Sequence, residues 1–365
     1  MTTCAKPMCI SDWRQRLVLL LLALLPFAGG CDRIQTFLIQ RMAGRALTGD
    51  RTYLLDDGHL HVVLCGTGSP LADPERAGPC TAVLAGGHFM LVDVGPGSWR
   101  EVALAHLPRA RLDGVLLTHF HSDHIGELGE ATLQSWVGGR SQPLPIYGPP
   151  GVEQVADGFR QAYAFDTQYR IAHHGVEAMP PTGAKTMPRV VNLPAPDDVA
   201  VVFDADGLRV TAFAVDHAPV TPAYGYRFDY HGRSVVVSGD TRKSANLIRH
   251  AKGADLLVHE ALAVRILEPV SAYARSQGLS RWAKLTADIV TYHTSPVEAA
   301  EAAKEAGVRM LALTHIVPPL PNFIARHIFL EGVSAAWDGE VVLGQDRQHF
   351  DLAQDGKTIR VDTLN

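Results

Sequence analysis

Along this chain the apolar residues come in short, dense runs broken by turn residues, and longer amphipathic stretches alternate with them. HLHVVLC (59–65), CTAVLAGG (80–87) and HFMLVDVG (88–95) predict three strands, the last two joined by a Gly-Gly hairpin. A helix follows over 98–107, then a short buried strand, GVLLT (114–118), and a helix over 125–136. LPIYGPPG (144–151) gives another strand with a hard stop, and a helix is expected over 152–164. The stretch 166–197 is irregular and proline-rich and predicts no regular element. VAVVF (199–203), LRVTAFAV (208–215), AYGYRFDY (223–230) and RSVVVSGD (233–240) are four strand-like runs separated by turns. Helix and strand then alternate: a helix near 243–251, the strand DLLVHEA (255–261), a helical stretch over 263–290, a helix over 296–306 begun by Pro296, the strand RMLALTH (309–315), a helix near 323–334 and the strand GEVVLGQD (339–346). Two β-rich halves, each passing into such alternation, predict an α/β fold: two sheets packed face to face with helices outside, an αββα sandwich. Ligand groups would sit at strand ends where the halves meet.

Composition bounds this picture without redrawing it. At 365 residues and 47% hydrophobic the chain can bury a full core. Its 33 glycines and 23 prolines suit many short strands and turns, and no internal repeat or low-complexity tract is present. A formal charge of −5 gives no general attraction to nucleic acid or anionic lipid, although a local basic groove could hide inside it.

The first 31 residues read as an export leader. Lys6, Arg14 and Arg16 precede an apolar run over 17–30 that is short of the roughly 20 residues a membrane span needs and ends in small residues before Cys31. Ala28-Gly29-Gly30-Cys31 resembles a bacterial lipobox, with alanine where leucine is usual. A lipidated Cys31 would anchor the protein to the membrane, facing the periplasm or the cell exterior, and Asp32 resembles an inner-membrane retention signal. Ordinary cleavage and an uncleaved anchor remain open. Residues 32–58 follow as a tether and 59–365 as the folded domain. Of five cysteines, only Cys65 and Cys80 would remain in that domain; a disulfide and two buried thiols are both open, and neither has CxxC spacing.

The chemistry concentrates in Thr118-His119-Phe120-His121-Ser122-Asp123-His124, directly after an apolar strand. Imidazole and carboxylate suit zinc, iron or manganese, and a loop at a strand end can turn alternate side chains toward one point. His119 and His121 can reach one ion; Asp123 and His124 lie past the bend and more easily reach a second.

This HxHxDH segment resembles the signature of metallo-β-lactamase-fold hydrolases. Asp93 in LVDVG, His217 in FAVDHAPVTPAYGYRF, Asp240 in SGDT and His315 in LALTH match further family positions, and His259-Glu260-Ala261 and His293-Thr294-Ser295 resemble motifs of its ribonuclease Z branch. Within the family the chain is most similar to arylsulfatase-like, ribonuclease-Z-related hydrolases. The resemblance implies one divalent ion, zinc above manganese or iron, on His119, His121 and His217, and another on Asp123, His124 and His315, with Asp240 bridging. A hydroxide shared by the ions would be the nucleophile. Asp123 would double as proton acceptor, His259 and His293 would protonate the leaving oxygen or grip the substrate, and Glu260 would orient a ligand. His173 and His174 read as surface. His59 and His61 alternate along an early strand with no partnered carboxylate motif, and Trp136, Tyr147 and Trp282 read as packing.

The substrate expected from this reading is a small-molecule sulfate or phosphate ester, with no nucleic acid as partner and room for a homodimer. The alternative is a ribonuclease Z-like endonuclease or phosphodiesterase; a lactonase or β-lactamase and a non-catalytic metal-binding lipoprotein come behind. Bacterial ribonuclease Z enzymes carry a long basic arm between the third-histidine motif and the bridging aspartate. Here the interval from His217 to Asp240 is nearly filled by two strands and a His231-Gly232 turn, so tRNA processing is not expected.

Overall fold

The structure is a computed structural model that describes residues 31–195, 197–354 and 356–365. The described residues separate into two units, one ending at Asp50 and the other over 51–365. In the first, Cys31–Thr48 is a helix with Ile34, Phe37, Leu38 and Met42 exposed along it. Among the described residues no helix is long and apolar enough to cross a membrane. The expected leader, and the Cys31 side chain with its expected lipid, lie outside the described residues. The second unit begins earlier than the tether boundary at 58: Leu54 and Leu55 are buried, and Arg51 Nε donates to the Ala105 carbonyl at 3.1 Å.

Among the described residues, fifteen strands form two sheets. The first has eight, in the order β15 (Ile359–Thr363), β14 (Gln348–Leu352), β1 (Leu60–Gly66), β2 (Cys80–Ala85), β3 (His88–Val92), β4 (Leu112–Leu116), β5 (Leu144–Gly148), β6 (Thr186–Val190). The second has seven, in the order β13 (Glu340–Leu343), β12 (Met310–Val317), β11 (Leu256–Leu262), β10 (Arg233–Val237), β9 (Tyr224–Tyr230), β8 (Leu208–Ala214), β7 (Val199–Ala205). Each sheet is antiparallel where hairpins join its strands and parallel where helices cross over, β3 to β6 and β10 to β13.

Strands covered on both faces read as continuous apolar runs rather than alternating ones. On β1, Leu60, Val62 and Leu64 face the second sheet while Val63 and Cys65 face the outer helices; on β10, Val235 and Val237 face inward and Val236 outward. Tyr226, Phe228 and Phe350 fill the inter-sheet layer, and fully burying a side chain of this size contributes roughly 1.5–3 kcal/mol. The expected αββα sandwich is therefore the fold.

Most elements lie where the apolar pattern puts them, with the helix Pro296–Ala306 at its expected bounds. The stretch 166–197 differs. It holds most of a helix, Ala164–Ala178, kinked at Gly175, and the edge strand β6. No residue of that helix is buried, so it shows no apolar face to read. Cys65 and Cys80 are joined in a disulfide between β1 and β2, which resolves that open choice.

Candidate active site

The expected metal residues sit at strand ends on one edge of the sandwich. His119 and His121 follow β4, and Asp123 and His124 start the short helix Ser122–Ile125; His217 follows β8, Asp240 follows β10, and His315 lies on β12. Asp240 Oδ2 is their focus. It lies 3.8 Å from His119 Nε2, 3.3 Å from His124 Nε2, 3.8 Å from His217 Nε2 and 3.4 Å from His315 Nε2. The donor atoms of His119, His121, His217 and Asp240 lie within 4.8 Å of one another, as do those of Asp123, His124 and His315.

These residues fit metal ions by a direct sign. His124 Nε2, His217 Nε2 and Asp240 Oδ1 are buried without a hydrogen-bond partner, a costly arrangement unless a cation takes their lone pairs. Burial, with neighbouring imidazoles, keeps His119 well below its ordinary pKa, and burial lowers His217 as well; both are thus held neutral, the form that ligates. Burial pushes Asp240 up, but the His124 and His315 imidazoles outweigh it and hold the carboxyl well below the usual range.

Three of these histidines, His119, His124 and His217, are oriented from behind. Asp93 accepts from Thr118 N and Oγ1, both at 2.8 Å, and its Oδ2 lies 2.8 Å from His124 Nδ1. Thr118 Oγ1 is 3.0 Å from His119 Nδ1, and His217 Nδ1 donates to the Tyr292 carbonyl at 3.0 Å. Asp93 and His315 adopt left-handed backbone, φ 58° and 47°. For His315 the cause is visible: β11 steps from Glu260 to Ala261 while β12 steps from Thr314 to Ile316, so His315 is the extra residue of a bulge that aims its ring at the centre. Gly239, φ 61°, precedes Asp240 where a Cβ would meet the Tyr224 carbonyl oxygen at 2.6 Å.

The two expected acid histidines part company. Glu260 Oε1 lies 2.8 Å from His293 Nδ1 and accepts from Thr241 N at 3.0 Å; His293 shares a donor group with Asp240 and His315. Burial pulls the His293 pKa down, but Glu260 and Asp240 outweigh it and raise it to about 9. His259 does not join them. Alternation on β11 turns it, with Leu257, to the outer helical layer, where Nδ1 meets the Glu260 carbonyl at 2.8 Å and burial lowers its pKa. Its expected role as proton donor is corrected on that ground.

Sequence reading gave Thr118 and Thr241 no role of their own and missed Asp346. Asp346 accepts from Thr67 Oγ1 and Ala77 N, both at 2.6 Å, and pins a loop over a cleft of about 750 Å³ lined by Ser69, Pro74, Arg76, Ser122 and Asp123. Hydroxyls and lone carboxylates in loops carry no pattern that would single them out. A second cleft, about 490 Å³ between Phe159, Tyr163 and Pro181, lies away from these residues.

A family model described as "Beta-lactamase superfamily domain" matches residues 88–316. The chain belongs to this superfamily. Proteins named ribonuclease Z are its relatives at 39% identity in Mycolicibacterium gilvum and 41% in Mycobacterium avium. Each matches over 264 residues, 72% of this chain and 85% or 87% of the relative. Among solved structures, the metallo-β-lactamase fold protein YhfI of Bacillus subtilis and the short form of human tRNase Z both superpose with TM-score 0.56. Both are 21% identical, covering 80% of this chain and 99% of theirs, and so speak to the fold. Within the superfamily the chain stands on the ribonuclease Z branch, not beside arylsulfatases, and is a metal-dependent hydrolase of ester bonds. These relatives overturn the expectation of a small ester substrate with no nucleic-acid partner. The interval from His217 to Asp240 is indeed β9, a turn and β10, but its shortness does not decide against a nucleic-acid partner, because the hold on a large substrate need not come from an arm at that position.

Proposed function

We propose that this chain is a two-metal RNA phosphodiesterase of the ribonuclease Z type, with tRNA precursors as its substrate class. Identity of about 40% to proteins of that name over 264 residues carries the reading. His119, His121 and His217 would hold one ion and Asp123, His124 and His315 the other, with Asp240 serving both. Two divalent ions there, zinc being the usual choice of imidazole and carboxylate, would neutralise the scissile phosphate and activate water at neutral pH.

The remaining work belongs to side chains. Burial raises the Asp123 carboxyl, but His315 and His124 outweigh it and keep it ionised, ready to take the proton of an attacking water. His293, held at Nδ1 by Glu260, whose charge favours the protonated ring, would donate from Nε2 to the departing ribose oxygen. The buried walls keep bulk water from screening these charges.

The test gives the metal-loaded protein a 3′-extended tRNA precursor and, in parallel, a chromogenic phosphodiester and an aryl sulfate. Site-specific cleavage of the precursor, lost in Asp240→Ala, is expected. Rapid turnover of the small esters with an intact precursor would overturn the proposal.

A further inference from the structure

A helical hairpin fills the chain between Glu260 and His293, which meet beside the metal centre. Its helices are Val264–Ser276 and Ser280–Ile289. Ser271 Oγ donates to the Ala283 carbonyl at 3.0 Å and joins them, and between them opens a cleft of about 540 Å³ lined by Glu268, Ser271, Arg275 and Thr286. Ile289 and Val290 pack on Leu262, Leu267 and Val317 and seat the hairpin on the second sheet. Two residues later Tyr292 stands at the centre itself. Its carbonyl holds His217, and its ring lies 5.3 Å from that of His217 and 4.8 Å from that of His293.

The second helix presents two unlike faces. With 3.6 residues per turn, Trp282, Leu285 and Ile289 fall on one, and Arg281, Lys284 and Asp288 on the next. Ile289 is partly buried on the sheet, but Trp282 and Leu285 are 58% and 48% exposed, so Trp282 is not the packing residue its type suggested. Trp282 stands about 10 Å from Ile289 along the helix and within about 20 Å of Tyr292. Charge gathers here too. Four cations against two carboxylates give residues 261–292 an excess of +2 in a chain of −5. Elsewhere exposed arginines such as Arg209, Arg242 and Arg249 pair with carboxylates. In the hairpin Lys284 meets Asp288 and Arg265 meets Glu331, but Arg275 and Arg281 pair with no carboxylate among the described residues.

Resting on the RNA reading above, we propose that this hairpin grips a single RNA strand running out from the scissile phosphate: Tyr292 and Trp282 stack on bases while Arg281 and Arg275 meet phosphates. Aromatic platforms beside cations are the chemistry of single-strand binding, because every base has a π-face and every linkage a negative charge. A duplex, its bases already stacked on one another, gives Trp282 nothing to stack on. A second copy of this chain meeting the face by twofold symmetry would set one cationic patch against another. The hold on the substrate thus lies in the interval from Glu260 to His293, not in the short one from His217 to Asp240.

The experiment uses the metal-loaded full chain and a short fluorescein-labelled single-stranded RNA of mixed sequence, with affinity read by anisotropy. Trp282→Ala should weaken binding about 5–150-fold, the worth of one stacked base, and Trp282→Phe should recover most of it. Arg281→Gln should flatten the slope of log Kd against log salt by about 0.7, the share of one phosphate. In Trp282→Ala and Arg281→Gln, kcat/KM for the tRNA precursor should fall relative to that for the chromogenic phosphodiester, and do so through KM. Arg209→Gln, on β8, controls for the loss of a surface charge and should bind RNA as wild type does. Wild-type affinity and salt slope in both hairpin variants overturn the grip; if the precursor is still cut, the RNA reading stands. A wild type that turns over the phosphodiester yet neither binds the strand nor cuts the precursor overturns both. A wild-type dimer that Trp282→Ala splits, with RNA affinity unchanged, assigns the face to a second copy and overturns the grip.

Discussion

At the scale of single residues, the centre turns on Asp240 and on Glu260. Asp240 Oδ2 stands within 3.8 Å of four imidazole nitrogens, so Asp240→Ala should lose metal and activity together, read by elemental analysis and turnover. Glu260 touches none of the proposed ligands and acts through His293. His293→Ala should keep its metal and lower kcat about 10²–10⁴-fold, the range for removing a general acid. Glu260→Gln should lower kcat less, with KM little changed, because the ring stays but its proton is no longer favoured. Metal loss equal to that of Asp240→Ala would make His293 a ligand instead. His259→Ala is the contrast: a fully buried ring on the outer face of β11 leaves a cavity, so about 2–5 kcal/mol of stability should go while kcat per folded molecule holds, measured by urea unfolding and active-site titration.

At the scale of elements, caps and cross-links decide how firmly ligands are presented. The helix Pro296–Ala306 starts two residues after Thr294, whose Oγ1 donates to the Thr241 carbonyl at 2.5 Å. Ser295 caps it reciprocally: its hydroxyl accepts from Glu298 N at 3.2 Å, and Glu298 accepts from Ser295 N at 2.9 Å. Ser295→Ala should cost about 1 kcal/mol, read by chemical denaturation, and loosen the neighbouring His293. The Cys65–Cys80 bridge closes a loop of 15 residues that includes one wall of the larger cleft. Reducing it should cost roughly 3 kcal/mol by chain entropy, seen as a lower Tm in reductant with the metal centre intact.

At the scale of the whole molecule, the centre joins the two sheets. His119, His121, Asp123 and His124 come from the first sheet, and His217, Asp240 and His315 from the second. Ions bound between them stabilise only the folded chain, by about 4 kcal/mol at a thousandfold excess over Kd. A chelator should therefore lower Tm by several degrees and reloading with zinc restore it; an unchanged Tm would mean the halves hold together without metal.

By itself, the sequence determined the architecture and most of the centre. Dense apolar runs specify strands buried on both faces, and HxHxDH places four donors on one loop, because short-range pattern governs both. It also exposed Asp93, His217, Asp240 and His315 through their motifs. Only the tertiary structure decided which side chains meet. Strand alternation sent His259 away from the centre and Glu260 toward it, and a bulge in β12 aimed His315, since a one-residue step exchanges the two faces of a strand. The same holds for His59, whose carboxylate partner Asp351 lies 292 residues on, brought near by the pairing of β1 with β14. Pattern along a chain reports the face a residue takes within its own element; which distant element supplies its partner is set by register and sheet order, and those exist only once the chain has folded.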